Sequence, residues 1–199
     1  STNGDRSINA LEKFLARRWK LKPEGFEDAE TAREYWGRAL KQVRWFCHTQ
    51  QTSVQPFLLE AIHEVALSAD LRLAGKVDRV DRCPDGSLHI IDYKTGKTPR
   101  EIDDWPLQAY AIILTRKFHA EVSQVSYLFL NGDGWHSTPP TTADLERAEE
   151  RLFAISDEIR TEREFAPKPN VFCPWCDFAE LCGVTASDGW DDPAEEPLY

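Results

Sequence analysis

Gly75-Lys76-Val77-Asp78-Arg79-Val80-Asp81-Arg82-Cys83-Pro84-Asp85-Gly86-Ser87-Leu88-His89-Ile90-Ile91-Asp92-Tyr93-Lys94-Thr95-Gly96 is the stretch whose reading decides the fold. Residues 71–81 and 88–94 are rich in Val, Leu and Ile and read as strands, with Cys83 to Ser87 as the turn between them. Pro84-Asp85-Gly86 suits a three-residue hairpin loop with Gly86 in the left-handed position. A hairpin centred on Asp85 sets Asp78 across from Asp92, and directly opposed residues have Cβ atoms about 4.5–5.5 Å apart. Two like charges there repel each other unless something compensates.

A divalent cation is the natural compensation, and hard oxygen ligands with open water positions suit Mg²⁺ or Mn²⁺. Strand alternation points Asp92 and Lys94 the same way, with Leu88 and Ile90 behind them. Lys94 would then lie beside the metal, where an ammonium orients or helps to deprotonate a water and offsets charge on a phosphate. The metal would polarise a phosphoryl oxygen and supply a more nucleophilic water. Glu60, on the preceding strand, would complete the shell. An Asp-x-Lys string alone reads as a surface ion pair; the opposed Asp78, the apolar strands and the glycine-flanked loops favour the metal site.

Outward from the hairpin, residues 54–67 read as a further strand. Asp103 or Asp104 caps an apolar helix running to about Phe118, and Val122 to Leu130 is a strand closed by Asn131-Gly132-Asp133-Gly134. Thr141 or Thr142 caps a helix to about Phe165, and two helices, 7–20 and about 28–51, precede the strands. Pro23 and Gly25 end the first of these. The expected order is helix, helix, three strands, helix, strand, helix. That is α/β with a small mixed sheet flanked by helices, not a doubly wound parallel sheet. The organisation read from this is an N-terminal helical segment at 1–53, a core at 54–165, a cysteine-rich segment at 166–185 and an acidic tail at 186–199.

The 199 residues fit one domain with a small appendage. A net charge of −10 argues against a protein coated in basic residues that holds nucleic acid mainly by counterion release. The longest apolar stretch, Ala109 to Leu114, is far too short to cross a membrane, and no basic-then-apolar leader opens the chain, so the expectation is a cytoplasmic, intracellular protein with no membrane partner. No methionine stands anywhere, which reads as a processed or engineered piece with residues missing upstream.

Five cysteines without a secretion signal point to metal ligation rather than disulfides. Cys173, Cys176 and Cys182 form a C-x₂-C-x₅-C string. Three thiolates leave a site one ligand short, whether for zinc or for a [4Fe–4S] cluster.

The string from Gly75 to Asp81, then Asp85-Gly86, then Ile91-Asp92-Tyr93-Lys94-Thr95-Gly96-Lys97, resembles the RecB-like branch of the PD-(D/E)XK nucleases. Glu60 in Phe57-Leu58-Leu59-Glu60 matches the glutamate of the preceding strand, and Gln108 matches a glutamine on the following helix. The resemblance covers roughly residues 55–182. It implies a restriction-endonuclease-like core with Asp78 and Asp92 as metal ligands, Glu60 as an accessory ligand and Lys94 as the catalytic lysine. The implied reaction is metal-dependent hydrolysis of DNA phosphodiester bonds, of exonuclease type, in recombination or repair, with a helicase as partner in cis or in trans. Gln108 would touch the metal-bound water or the phosphate, or else cap a strand edge. The cysteine triplet resembles that of iron–sulfur nucleases in this group, where a fourth cysteine lies far upstream. Cys47 is then the candidate fourth ligand, [4Fe–4S] is preferred to zinc, and Cys83 reads as a small buried hydrophobe.

Two departures stand out. The family's tyrosine, a turn after the glutamine, is replaced by Ala111-Ile112, with Tyr110 expected on a different side of the helix. The family's N-terminal metal-binding histidine has no match, His48 and His63 being the nearest. The missing histidine favours a second reading, a catalytically weak or inactive module that keeps the fold and binds DNA or a partner protein. Arg79, Lys97, Arg100, Arg116 and Lys117 are candidates for a DNA track, and Trp105, Trp135 and Trp175 for base stacking; ordinary surface and packing compete for each.

Overall fold

The computed structural model describes residues 6–20, 26, 28–170, 173 and 176–183. The helix-ending Pro23 and Gly25, Trp175 and the acidic tail at 186–199 lie outside the described residues. The elements run α1 (Ile8–Lys20), α2 (Ala29–Thr49), β1 (Leu58–Ala66), β2 (Arg72–Arg82), β3 (Leu88–Lys94), α3 (Trp105–Phe118), β4 (Val122–Phe129), β5 (Gly134–Thr138), α4 (Thr142–Thr161) and α5 (Ala179–Cys182). The strands form one sheet in the order β1-β2-β3-β4-β5. All neighbours are antiparallel except β3 and β4, which are parallel and joined through α3. The expected small mixed sheet flanked by helices is therefore what the chain forms.

The β2–β3 turn closes as the sequence suggests. Gly86 has φ +89°, its N–H donates to Cys83 O at 2.9 Å, and Cys83 N–H donates to Ser87 O at 2.9 Å. The pairs Arg79↔Ile91, Val80↔Ile90, Asp81↔His89 and Arg82↔Leu88 centre the hairpin on Asp85. That register carries Asp78 across from Asp92.

The core lies between the sheet and α3. Leu107, Ala111 and Leu114, at helical spacing, are fully buried against Val80, Leu88, Ile90 and Val125. Each large apolar side chain buried this way contributes roughly 1.5–3 kcal/mol. On the opposite face, Phe46 of α2 meets the Tyr93 ring edge-on at 5.9 Å. Thr141 caps α4 with a reciprocal bond to Asp144, a capping box.

Three boundaries differ from expectation. β1 begins at Leu58 rather than at 54, because Pro56 has no N–H for the ladder and Val54 N–H turns back to Gln51 O. α4 ends at Thr161 rather than near 165. Gly134–Thr138, beyond the expected closing turn, forms a fifth strand along the β4 edge.

Candidate active site

The register builds one row across the sheet. β1 pairs with β2 through Leu59↔Arg79 and Ala61↔Val77, which sets Glu60 across from Asp78. β2 and β3 set Asp78 across from Asp92, and Asp92 pairs with Tyr127 of β4. The chain is irregular where this row crosses β1 and β2. Val77 and Val80, three apart, both enter the core, and Leu58 and Ala61 both pack against it. Strict alternation would send such pairs to opposite faces. Both strands therefore change face at the Glu60/Asp78 step. Glu60 takes the left-handed conformation there, at φ +49°. Such a residue costs about 1–3 kcal/mol of strain, of the kind found at ligand-binding positions.

Asp78 Oδ2 accepts the Tyr93 N–H at 2.9 Å, so a side chain fills a place in the ladder. Lys94 Nζ lies 2.7 Å from Asp92 Oδ2, with Asp92 nearly covered and Lys94 at 43% exposure. Asp92 Oδ2 is buried, and the Lys94 ammonium is the charge that meets it there. Burial pushes the Asp92 carboxyl above its ordinary range; Lys94 pulls it down, and Asp78 adds to the rise. Lys94 Nζ also stands 5.1 Å from the Tyr127 ring centre. Tyr127 is buried, and its hydroxyl donates to Asp103 O at 3.0 Å. Burial, then the charge of Asp92, pushes that phenol up. A cleft of about 310 Å³ opens beside Lys94, lined by Gly96, Lys97, Pro99, Ile102, Tyr127 and Phe129 among others.

Glu60 is engaged elsewhere than with the two aspartates. Its carboxylate pairs with Lys76, and its side chain is 62% exposed. Lys76, absent from the sequence reading, carries a raised pKa from its bond to Glu60 and the charges of Glu60 and Asp78. Tyr110 stands on a different side of α3 from Gln108, as expected. Its ring lies against Gly75, where an added Cβ would stand 2.6 Å from Tyr110 Cε1. Burial and then the charges of Asp92 and Asp78 raise its pKa, so this side of α3 faces the acidic pair. Gln108, half-buried, donates its N–H to Asp104 O. At 100° per residue it stands about 200° round the helix from Tyr110.

Asp78 and Asp92 suit a hard divalent ion. They are two carboxylates one step beyond the Arg79↔Ile91 pair, one with a buried oxygen met by the Lys94 ammonium, and Mg²⁺ is commonly held by one or two carboxylates with waters completing its shell. Among the described residues, no group of three or more His, Cys, Asp and Glu is gathered closely enough to hold a metal. Neither Glu60 with the two aspartates nor the three cysteines of the C-terminal segment form such a set here. Cys173 Sγ accepts the Asn170 N–H at 3.3 Å; Cys176 and Cys182 are exposed, and Cys47 is half-buried on α2. Cys83 is half-buried, 3.9 Å from Ser123 Oγ.

His63 packs on the Phe118 ring at 5.3 Å and His48 is exposed at the end of α2. Two candidates for a DNA track are otherwise engaged: Arg79 is buried in a two-bond pair with Asp81, and Arg116 is bound to Glu149. Trp105 lies under the Arg151 guanidinium at 4.4 Å, and Trp135 is 44% exposed on β5.

A family model described as the PD-(D/E)XK nuclease superfamily matches residues 2–183. The chain is 31% identical over 121 residues to the "Gene 69 protein" of Mycobacterium phage L5, covering 57% of this chain and 40% of that protein. The chain thus spans well under half the length of that relative. The crystal structure of SSO0001 superposes with a TM-score of 0.47 at 15% identity, covering 86% of this chain and 95% of the other. So loose a likeness decides nothing further.

Proposed function

We propose, from the premise that this chain belongs to the PD-(D/E)XK nuclease superfamily, that it is a Mg²⁺- or Mn²⁺-dependent nuclease of the RecB-like type that hydrolyses DNA phosphodiester bonds as an exonuclease. The observation that carries this is the pair Asp78 and Asp92, one step beyond the Arg79↔Ile91 pair of the hairpin, with the Lys94 ammonium 2.7 Å from the buried oxygen of Asp92.

Asp78 and Asp92 would hold the ion, which supplies polarisation of a phosphoryl oxygen and a more acidic water. The Tyr93 N–H fixes the orientation of Asp78. Lys94, set between Asp92 and the Tyr127 ring, places an ammonium where a phosphate oxygen gathers charge. Such a preorganised charge typically lowers the barrier by about 2.7–4 kcal/mol. Tyr127, tied to Asp103 O, holds its ring beside the lysine at the wall of the cleft. Glu60 joins only by releasing Lys76, and Gln108 only by turning toward the phosphate.

The reading extends, on sequence resemblance, to a [4Fe–4S] cluster on Cys173, Cys176 and Cys182 with Cys47 as fourth ligand, and to a helicase partner in recombination or repair. Iron and acid-labile sulfide in equal amounts support the cluster; zinc in their place excludes it. The Glu60–Lys76 pair favours a second reading, a nuclease-fold module that binds DNA without cutting it.

The test is cleavage of end-labelled single- and double-stranded DNA with Mn²⁺, Mg²⁺ or chelator. Mononucleotide release that depends on the ion supports the exonuclease. Binding without cleavage under every condition supports the second reading.

A further inference from the structure

One stripe of α2 sets two cations, an amide and an indole side by side. Arg38, Lys41, Gln42 and Trp45 fall three to four residues apart, on one side of the helix. Together with Thr95, Gly96, Lys97, Leu130 and Asn131 they line a cleft of about 420 Å³. Gln42 Nε2 donates to Thr95 O at 2.7 Å and so ties the loop after Lys94 to the helix. This cleft shares Gly96 and Lys97 with the cleft that holds Lys94 and Tyr127. The two form one path past the candidate site.

The charge on the path is out of keeping with a chain of net charge −10. Elsewhere several basic side chains face carboxylates, as Arg44 does Glu12, Arg72 does Glu64 and Arg116 does Glu149, and others bind backbone carbonyls, as Arg6 and Arg160 do. Arg38 lies over the Tyr35 ring at 4.8 Å, and neither it nor Lys41 has a carboxylate partner among the described residues. Trp45, half-buried, provides the apolar wall. Cations without counter-charges beside an aromatic wall are what a single nucleic-acid strand needs: phosphates meet the cations and an unstacked base meets the ring. A duplex keeps its bases stacked and would use only the charges.

We infer that the cleft between α2 and the loop at Thr95–Lys97 binds one strand of nucleic acid next to the scissile phosphate, with Arg38 and Lys41 on its backbone and Trp45 against a base. The inference rests on the nuclease reading for the identity of the strand but not for its measurement. Binding is read without catalysis, by fluorescence anisotropy of a fluorescein-labelled oligothymidine 20-mer in EDTA.

Arg38→Glu/Lys41→Glu should weaken binding at least tenfold and flatten the dependence of log K on log salt by about 1.4, at about 0.7 per phosphate contact on a single strand. Arg147→Glu/Lys168→Glu changes net charge equally, at residues that line neither cleft, and should shift binding less than threefold. Trp45→Leu should weaken binding roughly tenfold, and Trp45→Phe should restore most of it. Lys41→Gln alone should weaken binding a fewfold, which keeps the test open if the double variant fails to fold.

Wild-type affinity and salt slope in the α2 variants would overturn the inference, as would equal losses in the Arg147/Lys168 control. So would the absence of measurable oligothymidine binding, or tighter binding of a duplex with no effect at Trp45. Binding through this face with no cleavage under any metal condition sinks the nuclease reading and leaves the cleft. Cleavage that needs Lys94 while the α2 variants bind normally does the reverse.

Discussion

Gly75→Ala is a small change with a cost that follows from one contact. The added Cβ would stand 2.6 Å from Tyr110 Cε1, 3.0 Å from Tyr110 Cδ1 and 3.2 Å from Ile113 Cδ1. Ile113 is buried and Tyr110 half-buried, so neither ring nor methyl moves freely. Overpacking of this order costs typically about 1–3 kcal/mol. Alanine recovers about 0.5–1 kcal/mol of backbone entropy in a strand. A 2.6 Å contact puts the overpacking in the upper part of that range, about 2–3 kcal/mol, so the net cost is about 1–2.5 kcal/mol, which for a domain of this size lowers Tm by about 2–10 °C. The assay is thermal unfolding of Gly75→Ala, Tyr110→Ala and the double variant. With the ring removed, the same methyl should become neutral or stabilising by about 0.5–1 kcal/mol, a reversal of sign that only direct contact produces. A Gly75→Ala Tm within 1 °C of wild type, or a cost that persists without Tyr110, refutes the placement of Tyr110 beside the acidic pair.

Asp92→Asn removes a poorly solvated charge and should raise the Tm of the metal-free protein while abolishing the rise caused by Mn²⁺; that rise corresponds to about 2.7 kcal/mol at a hundredfold excess over Kd. The pH dependence follows from the raised Asp92 carboxyl. Its contribution to metal-free stability is fully present below the ordinary aspartate value of 3.8 and is lost as pH rises through the raised native value, while the ion needs the ionised form. The Mn²⁺-induced Tm shift should therefore grow as pH rises from the acid range, and in Asp92→Asn it should be small and flat. Asp81→Ala strands the Arg79 guanidinium, whose side chain is only 10% exposed, and should destabilise by about 2–4 kcal/mol; Glu64→Ala, which breaks the exposed pair with Arg72, should cost under about 1 kcal/mol in the same chemical melts.

The hairpin was legible because its determinants are local. Pro84-Asp85-Gly86 fixes the turn, the turn fixes the register, and the register brings Asp78 to Asp92. The helices were legible from their apolar spacing, α3 above all. What sequence missed depends on partners far along the chain. β5 reads as turn and coil because Gly134-Trp135-His136-Ser137-Thr138 has little apolar alternation, and its pairing to β4 makes it a strand. Helical phase separates Tyr110 from Gln108, but it does not show where the ring goes, because the gap that receives it is made by Gly75 on another element. The reversal of face at Glu60 and Asp78 has no local signature, since neither residue is a glycine. The α2 stripe was hidden by the overall acidity, and only the loop after Lys94, folded back to Gln42, shows what it lines.

The account turns on Asp92 and Lys94, and one experiment tests it most directly: Mn²⁺-dependent cleavage of end-labelled DNA by wild type, Asp92→Ala and Lys94→Ala, each first shown to be folded by its thermal melt. The account predicts cleavage by wild type that chelator stops, no Mn²⁺-induced stabilisation in Asp92→Ala, and a fall in rate of about 10²–10⁴-fold in both variants. Cleavage at the wild-type rate in either variant, or cleavage indifferent to chelator, would contradict it.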